Sequence, residues 1–371
     1  GTYTIRADAP RGWVDTFNPS DQSPSFLSLQ SSSDIVSISG YPNIPNSLEE
    51  GLGGSTDISL IKSDSVFSKF TGKGQSIVII DDGIQASHPN FSDRVIYQYD
   101  FADNDSDALN QFGTHGTHVA GIAAGKTTGI ASEADIIMLK VFSVDYLGAY
   151  DGVIEEALQW VVDNSDTYNI ASVNLSLGGG NFTAEVTDSL SDQFVALKNL
   201  GIFVAAASGN SFTDYEYAGL GSPAADPNVF SVGSTITSDI GTWREHVTTD
   251  TDHISSYSQR HESLLDIFAP GTEIYSSVHA TDYNTITQKW DTYAPDSYDW
   301  MPGTSMASPQ VAGFAAIAQQ AALEYLGRKL TVDELSNILT DNADRIYDGD
   351  DENDPINNGS YTEAYYDRIN F

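Results

Sequence analysis

The chain contains no cysteine, so disulfides, thiolate catalysis and thiolate zinc sites are excluded. A large protein outside the cell can manage without disulfides, and the absence alone does not set the compartment. Cationic side chains are scarce: 16 Lys and Arg stand against 52 Asp and Glu, for a formal net charge of -36. A phosphate backbone needs a basic surface, so nucleic acid is not an expected partner. Long apolar runs are also missing. Gly201–Ala207 and Val311–Ala318 are the longest, both far short of a bilayer span, and no membrane association is expected. The first residues, Gly-Thr-Tyr-Thr-Ile-Arg, carry neither a Met nor an apolar signal core and read as the start of a processed product.

What remains is ample for a folded core. Of 371 residues, 40% are hydrophobic and 11% aromatic, which allows one large domain or two ordinary ones. The acids are biased to the shorter carboxylate, 38 Asp to 14 Glu, a hint of calcium loops within a mainly solvated acidic surface. Residues 1–55 are rich in Ser, Pro and Asp with short apolar patches, and read as an extension packing over a core. Residues 56–371 read as one domain. Apolar β-rich runs at Ser76–Ile80, Ile136–Val141, Ala171–Leu175, Gly201–Ala207 and Val229–Val232 alternate with helical stretches at Val119–Ala124, Gly152–Asp163 and Thr187–Asn199. Two more helices are expected over Ser305–Leu326 and Val332–Asn342. The pattern predicts an α/β fold, a doubly wound and mostly parallel sheet with helices on both faces.

Three motifs sit where such elements end. Ile79-Ile80-Asp81-Asp82-Gly83 runs a strand into an acid and a turn. Gly113-Thr114-His115-Gly116-Thr117-His118 puts a histidine at the mouth of a helix, and Gly303-Thr304-Ser305-Met306-Ala307-Ser308-Pro309 puts a serine at another. Taken singly, the acid reads as a turn residue and the serine as a helix cap. Strand ends of an open α/β sheet converge on one crevice. An acid, an imidazole and a hydroxyl meeting there suit nucleophilic acyl transfer: the base takes the serine proton, and the acid fixes the base's tautomer.

In the order Asp, His, Ser, these motifs resemble the subtilisin-like serine proteases, over about Ile61 to the end of the chain. The resemblance implies that Asp81 is the orienting acid, His115 the general base and Ser305 the nucleophile. Asn210, in Ala206-Ala207-Ser208-Gly209-Asn210, matches the family's oxyanion-hole asparagine, with the Ser305 N–H as second donor. Ser176-Leu177-Gly178-Gly179 matches one substrate-pairing edge and Leu147-Gly148-Ala149-Tyr150 the other, with Gly178, Gly179 and Gly221 at a wide first pocket and Tyr150 walling a pocket further upstream. Asp82 is a local likeness to kexin-like convertases, which carry Asp after the catalytic acid. His118 reads as a structural helix histidine, because no third ligand accompanies it.

The resemblance also implies structural calcium. The run Asp100-Phe101-Ala102-Asp103-Asn104-Asp105-Ser106-Asp107 is similar to the calcium loop of thermitase-like members, with Asp100, Asp105 and Asp107 as expected ligands. A second candidate, outside any family motif, is the acidic run at Asp348, Asp350 and Asp354. The expected protein is a secreted, calcium-stabilised, monomeric endopeptidase of broad specificity, acting on proteins or peptides, with a propeptide inhibitor in its precursor. Two alternatives stay open: a catalytically idle fold that only binds, and a processing protease for which Asp214 and Glu216 favour basic residues.

Overall fold

In the computed structural model the described residues are 4–7, 69–91, 93–109, 113–143, 148–237, 252–284, 289–349 and 361–370. The strands are β1 (Thr4–Ala7), β2 (Ser76–Asp81), β3 (Val95–Asp100), β4 (Asp135–Lys140), β5 (Ala149–Tyr150), β6 (Ile170–Leu175), β7 (Leu177–Phe182), β8 (Phe203–Ala207), β9 (Leu220–Ser222), β10 (Phe230–Ile236), β11 (Ile267–Thr272), β12 (Ile274–Asn284), β13 (Lys289–Met301), β14 (Asp344–Asp348) and β15 (Ala364–Arg368). The helices are α1 (His115–Ala124), α2 (Asp151–Asn164), α3 (Ser191–Asn199), α4 (Phe212–Tyr215), α5 (Thr304–Leu326) and α6 (Val332–Asp341).

Nine strands form the central sheet in the order β14-β15-β11-β10-β8-β6-β2-β4-β3. Every neighbouring pair is parallel except β14 with β15. The α/β expectation therefore holds, with an antiparallel edge that the sequence pattern did not reveal. Strand β2 explains why these runs are apolar without alternation. Its Ile77 and Ile79 join a core with Val119 and Ile122 of α1, Met306 and Val311 of α5 and Leu335 of α6. Its Val78 and Ile80 join a second core with Ile154, Leu158 and Val161 of α2 and Phe194 and Leu197 of α3. Both faces of the strand are covered, so both residue parities must be apolar.

Helix α6 begins where its sequence supplies a capping box. Thr331 accepts the Glu334 N–H at 3.2 Å while Glu334 accepts the Thr331 N–H at 2.9 Å. A smaller sheet, β5-β1-β7-β9, lies beside the main one, and the hairpin β12–β13 packs on α1. No described helix is long and apolar enough to cross a membrane.

Candidate active site

Parallel pairing puts the C-terminal ends of β2, β6 and β8 side by side, with Ile80 opposite Leu175 and Leu175 opposite Ala206. Asp81 ends the first strand, Ser176 follows the second, and Ser208-Gly209-Asn210 follow the third. Asp81 is fully buried, and its Oδ1 lies 2.8 Å from Nδ1 of His115, the first residue of α1. The carboxylate oxygen accepts the Nδ1–H, which leaves Nε2 as the ring's basic nitrogen. Asp82 braces the same pair. Its N–H donates to Asp81 Oδ1 at 2.7 Å, and its own Oδ1 accepts the Gly116 N–H at 2.7 Å at the opening of α1. This carboxylate at a helix N-terminus is favoured by the helix dipole. Its brace role was hidden in sequence, where it read only as a convertase-like acid.

Ser305 is the second residue of α5 and is buried, with Oγ 3.3 Å from the Ser176 carbonyl. The helix carries Pro309, which has no N–H, so the Ser305 carbonyl four residues earlier lacks its helical donor. Ser176 Oγ donates to that carbonyl at 2.8 Å instead. Asn174 Nδ2 donates to Ser176 Oγ at 2.9 Å, and Ser308 Oγ donates to Asn174 Oδ1 at 2.8 Å. Proline thus exchanges a helical hydrogen bond for one that ties the serine helix to the β6–β7 edge.

Asn210 is oriented by Thr304, whose N–H and Oγ1 both donate to Asn210 Oδ1, at 2.9 and 3.0 Å. Two donors on the oxygen fix the amide's direction, with Nδ2 as its donor end. In the sequence, the one signal for Thr304 is its position between Gly303 and Ser305.

The two edges expected to hold substrate do flank an extended segment, and the segment is the chain's own. Strand β1 pairs antiparallel with β5, Thr4 opposite Tyr150 and Ile5 opposite Ala149, and antiparallel with β7, Arg6 opposite Gly178 and Ala7 opposite Leu177. Gly148 is buried next to that edge, while Leu147 lies outside the described residues. Gly179 pairs with Ser222 across β7–β9, and the Gly221 N–H donates to the Ser208 carbonyl at 2.9 Å. Gly178 has no room for a side chain: a Cβ there would lie 2.9 Å from the Ser222 carbonyl oxygen.

In the acidic loop after β3, where calcium ligands are expected, the carboxylates have partners within the chain. Asp100 is buried, and its Oδ2 meets the ammonium of Lys140, also buried, which reaches Asp103 at 3.5 Å. Asp100 Oδ1 accepts the N–H groups of Ala102 and Asp103 at 2.9 and 3.0 Å. Asp105 and Asp107 each close a turn, accepting the N–H of Asp107 at 2.8 Å and of Leu109 at 3.2 Å. Among the described residues, the group of three whose ligand atoms lie within 4.8 Å of one another is Asp81, Asp82 and His115, and hydrogen bonds already commit all three. Around Asp100, expected with Asp105 and Asp107 to hold calcium, the chain thus supplies a cation of its own in Lys140. Asp348 is likewise engaged, accepting from Arg260 Nε and the Thr362 N–H at 2.8 Å each and from Thr362 Oγ1 at 2.6 Å. Asp350 and Asp354 lie outside the described residues.

His118 lies fully buried one turn after His115, with Nε2 donating to the carbonyls of Ile274 and Asp299, each at 3.1 Å. Burial above all pushes its pKa down from 6.5 to about 3, and His115 adds to the effect. The unfolded chain takes up a proton near pH 6.5 that the folded protein refuses until about 3. The stability this group confers is therefore complete above pH 6.5 and lost as pH falls through that window, at up to about 1.4 kcal/mol per unit. In a Ser305→Ala background, the melting temperature should drop between pH 6.5 and 4. Adding His118→Gln should flatten the drop, and an unchanged slope would remove His118 as its cause.

A family model described as the subtilase family matches residues 72–362. Subtilisin-like protease 3 of Arthroderma benhamiae is 32% identical over 285 residues, covering 76% of this chain and 62% of that protein. Alkaline serine exoprotease A of Vibrio alginolyticus is 35% identical over 253 residues, covering 68% of this chain and 40% of that protein. The chain thus spans less than two thirds of the length of these relatives. The crystal structure of a cold adapted subtilisin-like serine proteinase superposes with a TM-score of 0.57 at 29% identity, covering 81% of this chain and 90% of that one.

Proposed function

The chain belongs to the subtilase family, and from that premise we propose that it is a serine endopeptidase that cleaves extended peptides through Asp81, His115, Ser305 and Asn210. The observation that carries this reading is the 2.8 Å contact between buried Asp81 and His115 at the end of a parallel strand, where the neighbouring strand's Ser176 holds Ser305. His115 Nε2 takes the Ser305 proton as Oγ attacks the scissile carbonyl, and Asp81 stabilises the imidazolium. Asn210 Nδ2 and the Ser305 N–H, at the start of α5, receive the charge that develops on the carbonyl oxygen. His115 then gives its proton to the leaving amine. Water, deprotonated by the same base, releases the acid from the acyl-enzyme.

Substrate binds as β1 does, a strand added between Ala149–Tyr150 and Leu177–Gly178, with main-chain pairing giving affinity for many sequences. Broad specificity follows from that main-chain dependence and from glycines at the first pocket. Secretion, action as a monomer and inhibition by a propeptide complete the proposal. Its support is the charge of -36, which suits a protein that stays soluble and unassociated.

Residues Thr4–Ala7 occupy the edges that substrate needs, so they compete with it. Replacing Ile5 and Arg6 together by proline removes two backbone donors from β1. The KM for a tetrapeptide p-nitroanilide should fall several-fold at constant kcat. An unchanged KM would mean that β1 leaves the groove when substrate arrives at no cost.

A further inference from the structure

We propose that Gln259 is a positioning residue for the acyl-transfer site, tying the first pocket's walls to the segment that carries Asn210. The proposal rests on the peptidase reading above. Gln259 is buried and lies outside all three sequence motifs. Its side-chain Nε2 donates to the Gly180 carbonyl at 3.0 Å and to Asn181 Oδ1 at 2.8 Å, both on the β7 edge that pairs with β1. Its backbone grips the end of β8. The Gln259 N–H donates to the Gly209 carbonyl at 2.8 Å, and Ser208 Oγ donates to the Gln259 carbonyl at 2.7 Å.

The next residue reaches the third wall, because the Gly219 N–H donates to the Arg260 carbonyl at 2.9 Å. One dipeptide therefore holds all three chain segments around the first pocket. Its contact with the oxyanion strand is close. Gly209 has φ +112, and a Cβ built there would lie 2.0 Å from Gln259 Oε1, so the carboxamide fills the space beside Gly209 that any side chain would need. Asn210 is the following residue, so a shift of Gln259 reaches the oxyanion donor through one peptide unit.

Arg260 makes this dipeptide a fixed point. Its buried guanidinium donates to Asp348 Oδ2 through Nε and to the Ser258 carbonyl through Nη1, both at 2.8 Å. The guanidinium carbon also stacks 3.5 Å from the Phe212 ring centre. Phe212, two residues after Asn210, donates its N–H to the Tyr257 carbonyl at 3.0 Å. Asn210 is thus bracketed by Gly209 on Gln259 and Phe212 on Arg260. A purely structural residue would affect folding; a positioning residue must affect the transition state and the choice of substrate.

The test uses the full chain and tetrapeptide p-nitroanilides with Ala, Leu or Phe before the scissile bond. Gln259→Leu keeps the bulk and loses both donors; Gln259→Glu keeps the shape and places an acceptor against two acceptors. Each should lower kcat by about tenfold, the scale of one buried hydrogen bond left unmade, and should change the Ala-to-Phe preference. In an Asn210→Ala background the kcat loss from Gln259→Leu should shrink to less than threefold, because the two act through one donor. Asn181→Ala, which removes one partner and leaves Gln259 in place, should shift the preference in the same direction.

Full additivity with Asn210→Ala, or an unchanged preference in both Gln259 variants at unchanged melting temperature, would overturn the proposal. If a Gln259 variant does not fold, Asn181→Ala decides alone, and its unchanged preference counts against the proposal. Labelling of the wild-type chain by a fluorophosphonate separates the two levels. No labelling sinks the peptidase reading itself, whereas labelling with indifferent Gln259 variants sinks only this inference.

Discussion

Ser305→Ala should reduce peptide hydrolysis by about 10⁶-fold in kcat, the loss seen in subtilisin when its nucleophile is removed. Only Oγ is deleted, and the wall around it is held by other atoms. The Ser305 carbonyl still accepts from Ser176 Oγ, and Asn174 and Ser308 still complete that network. The fold should therefore survive, with a melting temperature within a few degrees of wild type. Some catalysis over water should persist, because Asn210 and the backbone N–H at position 305 still meet the carbonyl oxygen. Adding His115→Ala to Ser305→Ala should cost almost nothing more, since the base has no proton left to take. Hydrolysis of casein by purified Ser305→Ala at a tenth of the wild-type rate would remove the serine from the chemistry.

Asn210→Ala should lower kcat by roughly 10²–10³-fold with little change in KM, the range reported for the equivalent donor of subtilisin. The split follows from geometry. Thr304 holds Asn210 by its oxygen, so Nδ2 is positioned before substrate arrives and its bond strengthens only as charge develops on the carbonyl. Thr304→Val should reproduce part of this loss. It deletes the Oγ1 donor to Asn210 Oδ1 and leaves the N–H, so the amide is less firmly directed. Steady-state kinetics on one p-nitroanilide substrate measures both variants. A raised KM at constant kcat would mean that Asn210 binds the ground state.

The sheet and the three chemical motifs were legible because their causes are local. Val78 and Ile80 face one helix layer and Ile77 and Ile79 the other, which forces an unbroken apolar run. Asp81, His115 and Ser305 each sit at an element boundary marked by glycine. The hairpin β12–β13 was missed because its residues, among them Thr281, Asp282, Asp291 and Thr292, pair across strands without the apolar alternation of a half-buried strand. The partner of Asp100 was hidden for a related reason. A string of aspartates is visible in sequence, but the ammonium that neutralises it comes from Lys140, at the end of β4. Asp348 is the same case, with its partner Arg260 88 residues away. Gln259 and Thr304 act through neighbours brought together by folding, and no spacing rule announces such residues.

The proposed chemistry makes Ser305 a nucleophile activated by His115. The most direct measurement is reaction of the purified chain with a fluorophosphonate, followed by digestion and mass mapping of the adduct. A single adduct is expected on Ser305, absent in Ser305→Ala and formed at least 10²-fold more slowly in His115→Ala, where the general base is gone. An adduct on another serine, or labelling of Ser305 at the same rate without His115, would contradict it.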